Sequence, residues 1–163
     1  KNKIQNIVFE DINQIIEKNE SDCISLIGVL EHLIDPNLAI KSFHKSKSNY
    51  LYLSVPLFSF SSFLEHANPN VFPRQLGGDH THLYTKDSLN YLFKKNKLKI
   101  IGEWWFGTDF ADLHRTLINN FSSKSSNFFQ MQYRKFFLDY INDFQKVLDK
   151  NQICSEVHMV VKK

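Results

Sequence analysis

The chain has 163 residues, of which 42% are hydrophobic, so one domain with a real core fits its length. Its formal net charge of +3 is spread along the chain rather than blocked, which argues against a nucleic-acid groove. No apolar run reaches transmembrane length and no signal-peptide pattern opens the sequence. The two cysteines, Cys23 and Cys154, have no C-x-x-C spacing, and both fall in apolar runs. That predicts buried, reduced thiols and a cytoplasmic protein. Lys1 is not an initiator Met, and a strand pattern starts almost at once, so a larger parent protein is expected.

The predicted elements alternate. Ile4 to Phe9 reads as a short strand, and Asp11 or Asn13 caps a helix running to Asn19. Cys23 to Val29 is an apolar run of strand length, expected to be buried on both faces. Asp35-Pro36 then starts a helix to Lys47, because Asp caps well and Pro suits the first helical position. Tyr50 to Pro56 is a further strand. This β-α-β-α-β order predicts a parallel sheet with crossover helices. Leu57 to Asp79, rich in Phe and Ser and carrying Gly77-Gly78, reads as a long loop with one helical turn, and such loops are usually functional.

Thr85 caps a helix to about Asn96, and Leu98 to Phe106 is a strand. Thr108 to Phe121 reads as an amphipathic helix and Ser122 to Ser126 as a polar linker. Phe128 to Lys150 keeps an apolar face at helical spacing, broad enough to need a partner surface, either core or a homodimer interface. Cys154 to Val161 is the final strand.

The segment that carries chemistry is Asp22 to Pro36. Its strand ends on Glu31-His32, two ionisable side chains at the carboxyl edge where open α/β sheets bind ligands. A second polar cluster, Asp79-His80-Thr81-His82, follows the next strand and can fold back over the same edge. A His there suits general-base work near neutral pH. The competing reading of His80 and His82 is that they tie the loop to the sheet, and for His82 that reading leads. Trp104, Trp105, Phe106 and the Phe58, Phe60 and Phe63 loop are pocket walls or ordinary core.

Asp22, Ile24, Val29, Leu30, Glu31, His32, Asp35 and Pro36 resemble the fourth strand and following turn of class I S-adenosylmethionine-dependent methyltransferases. The resemblance implies an α/β fold: a partial Rossmann-like sheet, mostly parallel with an antiparallel last strand, plus a helical insertion. By that resemblance, residues 1–107 form the carboxyl-terminal part of the methyltransferase domain. Residues 108–150 are then the insertion, and residues 151–163 the last strand, lying between its two predecessors. The resemblance also implies S-adenosylmethionine as cofactor. Asp11 would accept from the adenine amino group, and Ile12 would pack on the ring. Gly28, Val29 and Leu30 would line the methionine and ribose side. Glu31, His32 and His80 would face a small-molecule acceptor, with a hydroxyl as the first expectation.

In two subgroups of that family an E-x-x-E-H stretch works with a downstream His as a divalent-metal site. Glu31, His32 and His80 match it, whereas Gly28 replaces its first Glu. The family's glycine turn after its first strand has no counterpart, since the chain contains no G-x-G. The isolated chain is therefore expected to be inactive alone and to bind S-adenosylmethionine weakly. Two rival readings stand beside methyl transfer: a non-catalytic dimerisation or substrate-recognition module, and a metal-dependent hydrolase built on Glu31, His32, His80 and His82.

Overall fold

The computed structural model describes residues 11–71, 73–124 and 127–163. The strand expected over Ile4 to Phe9 lies outside the described residues. Asp11 caps α1 (Ile12–Lys18), its carboxylate accepting from Asn13 N at 2.9 Å. β1 (Cys23–Ile27) leads into a 3₁₀ turn, Leu30–His32. Asp35 caps α2 (Pro36–Lys45) by accepting from Asn37 N and Leu38 N, with Pro36 opening the helix, as the sequence predicts. β2 (Tyr50–Pro56), α3 (Phe60–Ala67) and α4 (Lys86–Lys95) follow. Next come β3 (Lys99–Phe106), α5 (Asp109–Lys124), α6 (Asn127–Phe137), α7 (Ile141–Lys150) and β4 (Glu156–Lys162).

The four strands lie in the order β1-β2-β4-β3. β1 pairs parallel to β2, and β4 runs antiparallel to both β2 and β3. The sheet is therefore mixed and only partly parallel among the described residues, where a mostly parallel sheet was expected. The four described strands make one parallel and two antiparallel pairings, and the further strand expected at Ile4 to Phe9 is not among them. The position of β4 between its predecessors matches the expectation.

The core forms where α1, α2 and α4 present Ile16, Ile40, Phe43, Leu89 and Phe93 to the sheet residues Ile24, Leu26, Leu51, Leu53 and Val161. β1 alternates, with Ile24 and Leu26 buried and Cys23, Ser25 and Ile27 exposed. The expectation that β1 is covered on both faces therefore does not hold among the described residues: the helices lie on one face of this strand. The same alternation corrects the cysteines. Cys154 is buried, just ahead of β4, but Cys23 is exposed.

Three further local readings change. The segment after β2 forms a two-turn helix, α3, where one turn was expected, with Ser62 Oγ accepting from Ser59 N at its start. The polar run at Ser122 begins inside α5, which continues to Lys124. The periodic stretch from Phe128 divides into α6, a 3₁₀ turn at Leu138–Tyr140, and α7. Neither Gly nor Pro marks that break, so composition gives no warning of it.

Asp109 joins these parts. Its buried carboxylate accepts from Ser59 Oγ at 2.6 Å, Ser61 N at 3.0 Å, Gln145 Nε2 at 3.2 Å and Ser155 N at 2.9 Å. One side chain thus binds α3, α5, α7 and the approach to β4, which fixes the loops above the sheet edge.

Candidate functional site

The site begins where β1 stops. Gly28 turns the chain with φ of +62°, a conformation glycine adopts without penalty, and its N–H donates to Ser54 O on β2 at 3.1 Å. The 3₁₀ turn that follows places Leu30 and Glu31 inside. Leu30 carbonyl accepts from Tyr84 Oη at 3.2 Å. Burial, with the Glu31 charge as a lesser cause, raises the Tyr84 pKa, so this phenol stays a donor.

The second polar cluster docks onto that turn through backbone. Glu31 O accepts from Thr81 N at 2.8 Å and His82 N at 3.1 Å, and Thr81 Oγ1 adds a third bond at 2.9 Å. Two histidines are then fixed in the same sense. His32 Nδ1 lies 3.2 Å from Asp79 O, and His80 Nδ1 lies 3.0 Å from Gln75 O. A carbonyl only accepts, so each Nδ1 carries the hydrogen; in the neutral ring each Nε2 is left with its lone pair. The rings meet edge to face, 4.8 Å between centroids. Ligand atoms of Glu31, His32 and His80 all lie within 4.8 Å of one another. Glu31 is 3% exposed, and its Oε2 has no hydrogen-bond partner. A buried carboxylate oxygen left unpaired is costly unless something binds it.

A pocket of about 230 Å³ opens beside Glu31 and His80. The ends of the two parallel strands form its floor, Ile27 and Gly28 from β1 and Ser54 and Pro56 from β2. Arg74 and Gln75 come from the loop after α3, and Glu156 from the first residue of β4. The loop is held by Glu65, a buried carboxylate on α3 that accepts from Arg74 N, Gln75 N and Leu76 N at 2.8 to 3.0 Å. The Arg74 guanidinium turns away to Thr108 Oγ1 at 2.6 Å and to Asp112, 3.3 Å distant.

Of the residues singled out in the sequence, Gly28, Glu31 and His80 line this pocket and His32 adjoins it. Val29 and Leu30 support the turn from behind: Val29 packs on the core and Leu30 is fully buried. Asp11 is exposed and uses Oδ1 to cap α1, while Ile12 packs against the core. Neither lines the pocket. His82 stacks on Tyr84 and bonds Thr81 Oγ1, a bracing role. Ser54, Arg74, Gln75 and Glu156 were not foreseen. Glu156 reaches the site because it pairs with Pro56 across β2 and β4, a register no local pattern reveals.

Among solved structures, a SAM-dependent methyltransferase from Archaeoglobus fulgidus superposes with a TM-score of 0.51 at 15% identity, over 97% of this chain and 67% of that one. The chain has a class I methyltransferase-like fold. A coclaurine N-methyltransferase bound to N-methylheliamine and SAH aligns at a TM-score of 0.38 and 13% identity, over 87% of this chain and 48% of that one. The cyclase SpnF aligns at 0.44 and 12% identity, over 90% of this chain and 50% of that one. The chain therefore spans about half the length of the latter two structures and about two-thirds of the Archaeoglobus protein. No protein-family model matches it, and no curated protein matches it. Within this methyltransferase-like fold, the pocket lies at the carboxyl ends of β1 and β2, where sheets of this type bind ligands.

Proposed function

We propose that this chain supplies the acceptor side of an S-adenosylmethionine-dependent methyl transfer to a small molecule, a hydroxyl being the first candidate. The observation that carries the reading is His80, whose Nδ1 lies 3.0 Å from Gln75 O and whose ring lines a pocket shared with buried Glu31. The cofactor supplies an electrophilic methyl group. Gly28 lines the pocket at the turn past β1 without a side chain, and this is the part of a cofactor site that the residues present fit. Asp11 would meet the adenine, and Ile12, Val29 and Leu30 would flank the cofactor.

The protein's own work is positional. Substitution at a methyl carbon is in line, so the acceptor must be held at a fixed angle. His80 accepts the acceptor's proton at Nε2 while Gln75 O holds the opposite nitrogen, and Glu31 stabilises the charge that the ring gains. His32 packs edge to face on His80 beside the pocket. The inferred layout takes residues 1–107 and 151–163 as one α/β unit and residues 108–150 as an insertion. Its α6 carries Phe129, Met131 and Phe136, each more than half exposed, which supports self-association through that face.

A second reading is favoured by the convergence of Glu31, His32 and His80. Two imidazoles that each donate Nδ1–H to a backbone carbonyl, beside a carboxylate with an unpaired oxygen, form a donor set that suits a divalent cation. Those three residues would hold it, and it would supply acidification of a bound hydroxyl. Elemental analysis and calorimetry with Mg²⁺, Mn²⁺ and Zn²⁺ decide it. Stoichiometric binding that is lost in His32→Ala supports the metal, and no heat with any of the three ions removes it.

The main reading is tested with tritiated S-adenosylmethionine and a small-molecule extract. Transfer of label to the extract should fall about a hundredfold or more in His80→Ala while the melting temperature holds. Equal transfer by wild type and variant overturns the role of His80. Absence of transfer by this chain, and by a longer chain that contains it, overturns the enzyme reading in favour of a binding module. Calorimetry with the isolated chain is expected to give binding weaker than micromolar; micromolar binding shows that the residues present suffice for the cofactor.

A further inference from the structure

We infer that the pocket beside Glu31 is built for a ligand that presents a cationic amine, and that Glu156 is the residue that recognises it. This rests on the reading of that pocket as the acceptor pocket. Glu31 and Gln75 are each more than nine-tenths buried, and Glu31 Oε2 and Gln75 Oε1 have no hydrogen-bond partner. Both are acceptor atoms, and His80 Nε2 is a third. A ligand that satisfies them must bring hydrogen-bond donors. The Arg74 guanidinium on the wall bonds Thr108 Oγ1 and shares Asp112 with Arg115, so part of its donor capacity is committed away from a ligand.

Glu156 completes the set from the sheet side, and it is held still. Its Oε1 accepts from Ser54 Oγ at 2.9 Å and lies 3.2 Å from His158 Nε2. The other nitrogen, His158 Nδ1, lies 2.5 Å from Tyr52 Oη. The tyrosine hydroxyl donates to Nδ1, which places the ring hydrogen on Nε2, pointing at Glu156. Trp104 and Phe106 pack edge to face on the imidazole, with centroids at 5.6 and 4.8 Å, and keep it from turning. Tyr52 and His158 are therefore positioning residues, and Glu156 is the group that touches the ligand. Two carboxylates lining one pocket favour an ammonium over a neutral hydroxyl and disfavour a carboxylate.

The test uses one ring with three end groups: tyramine, tyrosol and 4-hydroxyphenylacetate, titrated by calorimetry into the full chain treated with EDTA. Tyramine should bind about tenfold or more tightly than tyrosol, and 4-hydroxyphenylacetate should not bind, as expected for charge-assisted hydrogen bonds. Glu156→Gln should remove the preference. Ser54→Ala, which only loosens Glu156, should lower it in part. Glu103→Gln, on β3 outside the pocket, should leave it intact. Equal affinity for the three compounds, no binding of tyramine, or an undiminished preference in Glu156→Gln overturns the inference. Titration of the same samples with S-adenosylmethionine separates this result from the methyl-transfer reading, because amine selectivity that depends on Glu156 stands whether or not the cofactor binds.

Discussion

At the scale of the residue, the two cysteines show how one residue type takes opposite roles. Cys154 is fully buried, and burial, more than the nearby Asp149 charge, pushes its thiol pKa up to about 12. Cys23 is exposed on the first residue of β1. At pH 8 the native protein is expected to react with one equivalent of a disulfide reagent at Cys23. Cys154 should react only when the chain unfolds. A thiol assay with and without denaturant checks this, and two fast equivalents in the native state would contradict the buried position. The linkage has a definite sign. A thiol whose folded pKa is raised contributes its stability below the unfolded value near 9, and loses it as pH climbs toward 12. Once both curves are normalised at neutral pH, Cys154→Ala should therefore lose less stability than wild type as the pH rises from about 9 toward 12. Legibility is uneven at this scale. The Asp35-Pro36 start and the Glu31-His32 pair are readable because capping and strand ends depend on neighbours in sequence. The orphaned Glu31 Oε2 and the anchored Glu156 are not readable, because both depend on residues about 45 to 100 positions away.

At the scale of the element, the loop between α3 and α4 owes its shape to one side chain. Glu65 accepts three consecutive backbone N–H groups, and the carbonyl of the middle residue, Gln75, in turn fixes His80. Glu65→Ala leaves three N–H donors without that partner, the one on buried Gln75 among them, which costs about 2–3 kcal/mol on ordinary values for hydrogen bonds to a charged group. Urea denaturation should show that loss, and limited proteolysis should find new cleavage between Pro73 and His80. If stability and cleavage match wild type, Glu65 does not anchor the loop. This device explains why the sequence reads the segment as mostly loop. Its order comes from a side chain on α3, and neither periodicity nor turn residues encode such a contact. The break between α6 and α7 escapes for a related reason, since apolar spacing runs through Phe137 and Ile141 although the helix does not.

At the scale of the whole molecule, the described surface carries an aromatic face on α6, with Phe128, Phe129, Met131 and Phe136 each more than half exposed. Exposed patches of this kind mark interaction surfaces or association hazards. Sedimentation at rising concentration should show self-association, and Phe136→Glu should shift the chain toward monomer with its melting temperature unchanged, because that side chain is exposed. A monomer at all concentrations would leave that face to another partner. The architecture itself was largely legible. Strand and helix order follow from apolar runs and caps, and the place of the last strand follows from the family resemblance. Coverage of the sheet was not legible, because whether a second layer exists depends on long-range packing rather than on any single run.

The central place of β4 has a consequence for how the chain is made. β3 pairs only with β4 among the described strands, yet every residue of β4 is translated after β3 and after three further helices. During synthesis β3 must therefore wait without a hydrogen-bonding neighbour, an open edge carrying Trp104 and Trp105, until Glu156–Lys162 clears the ribosome. α7, which also contacts β3, is made only just ahead of β4, so it gives that edge little earlier cover.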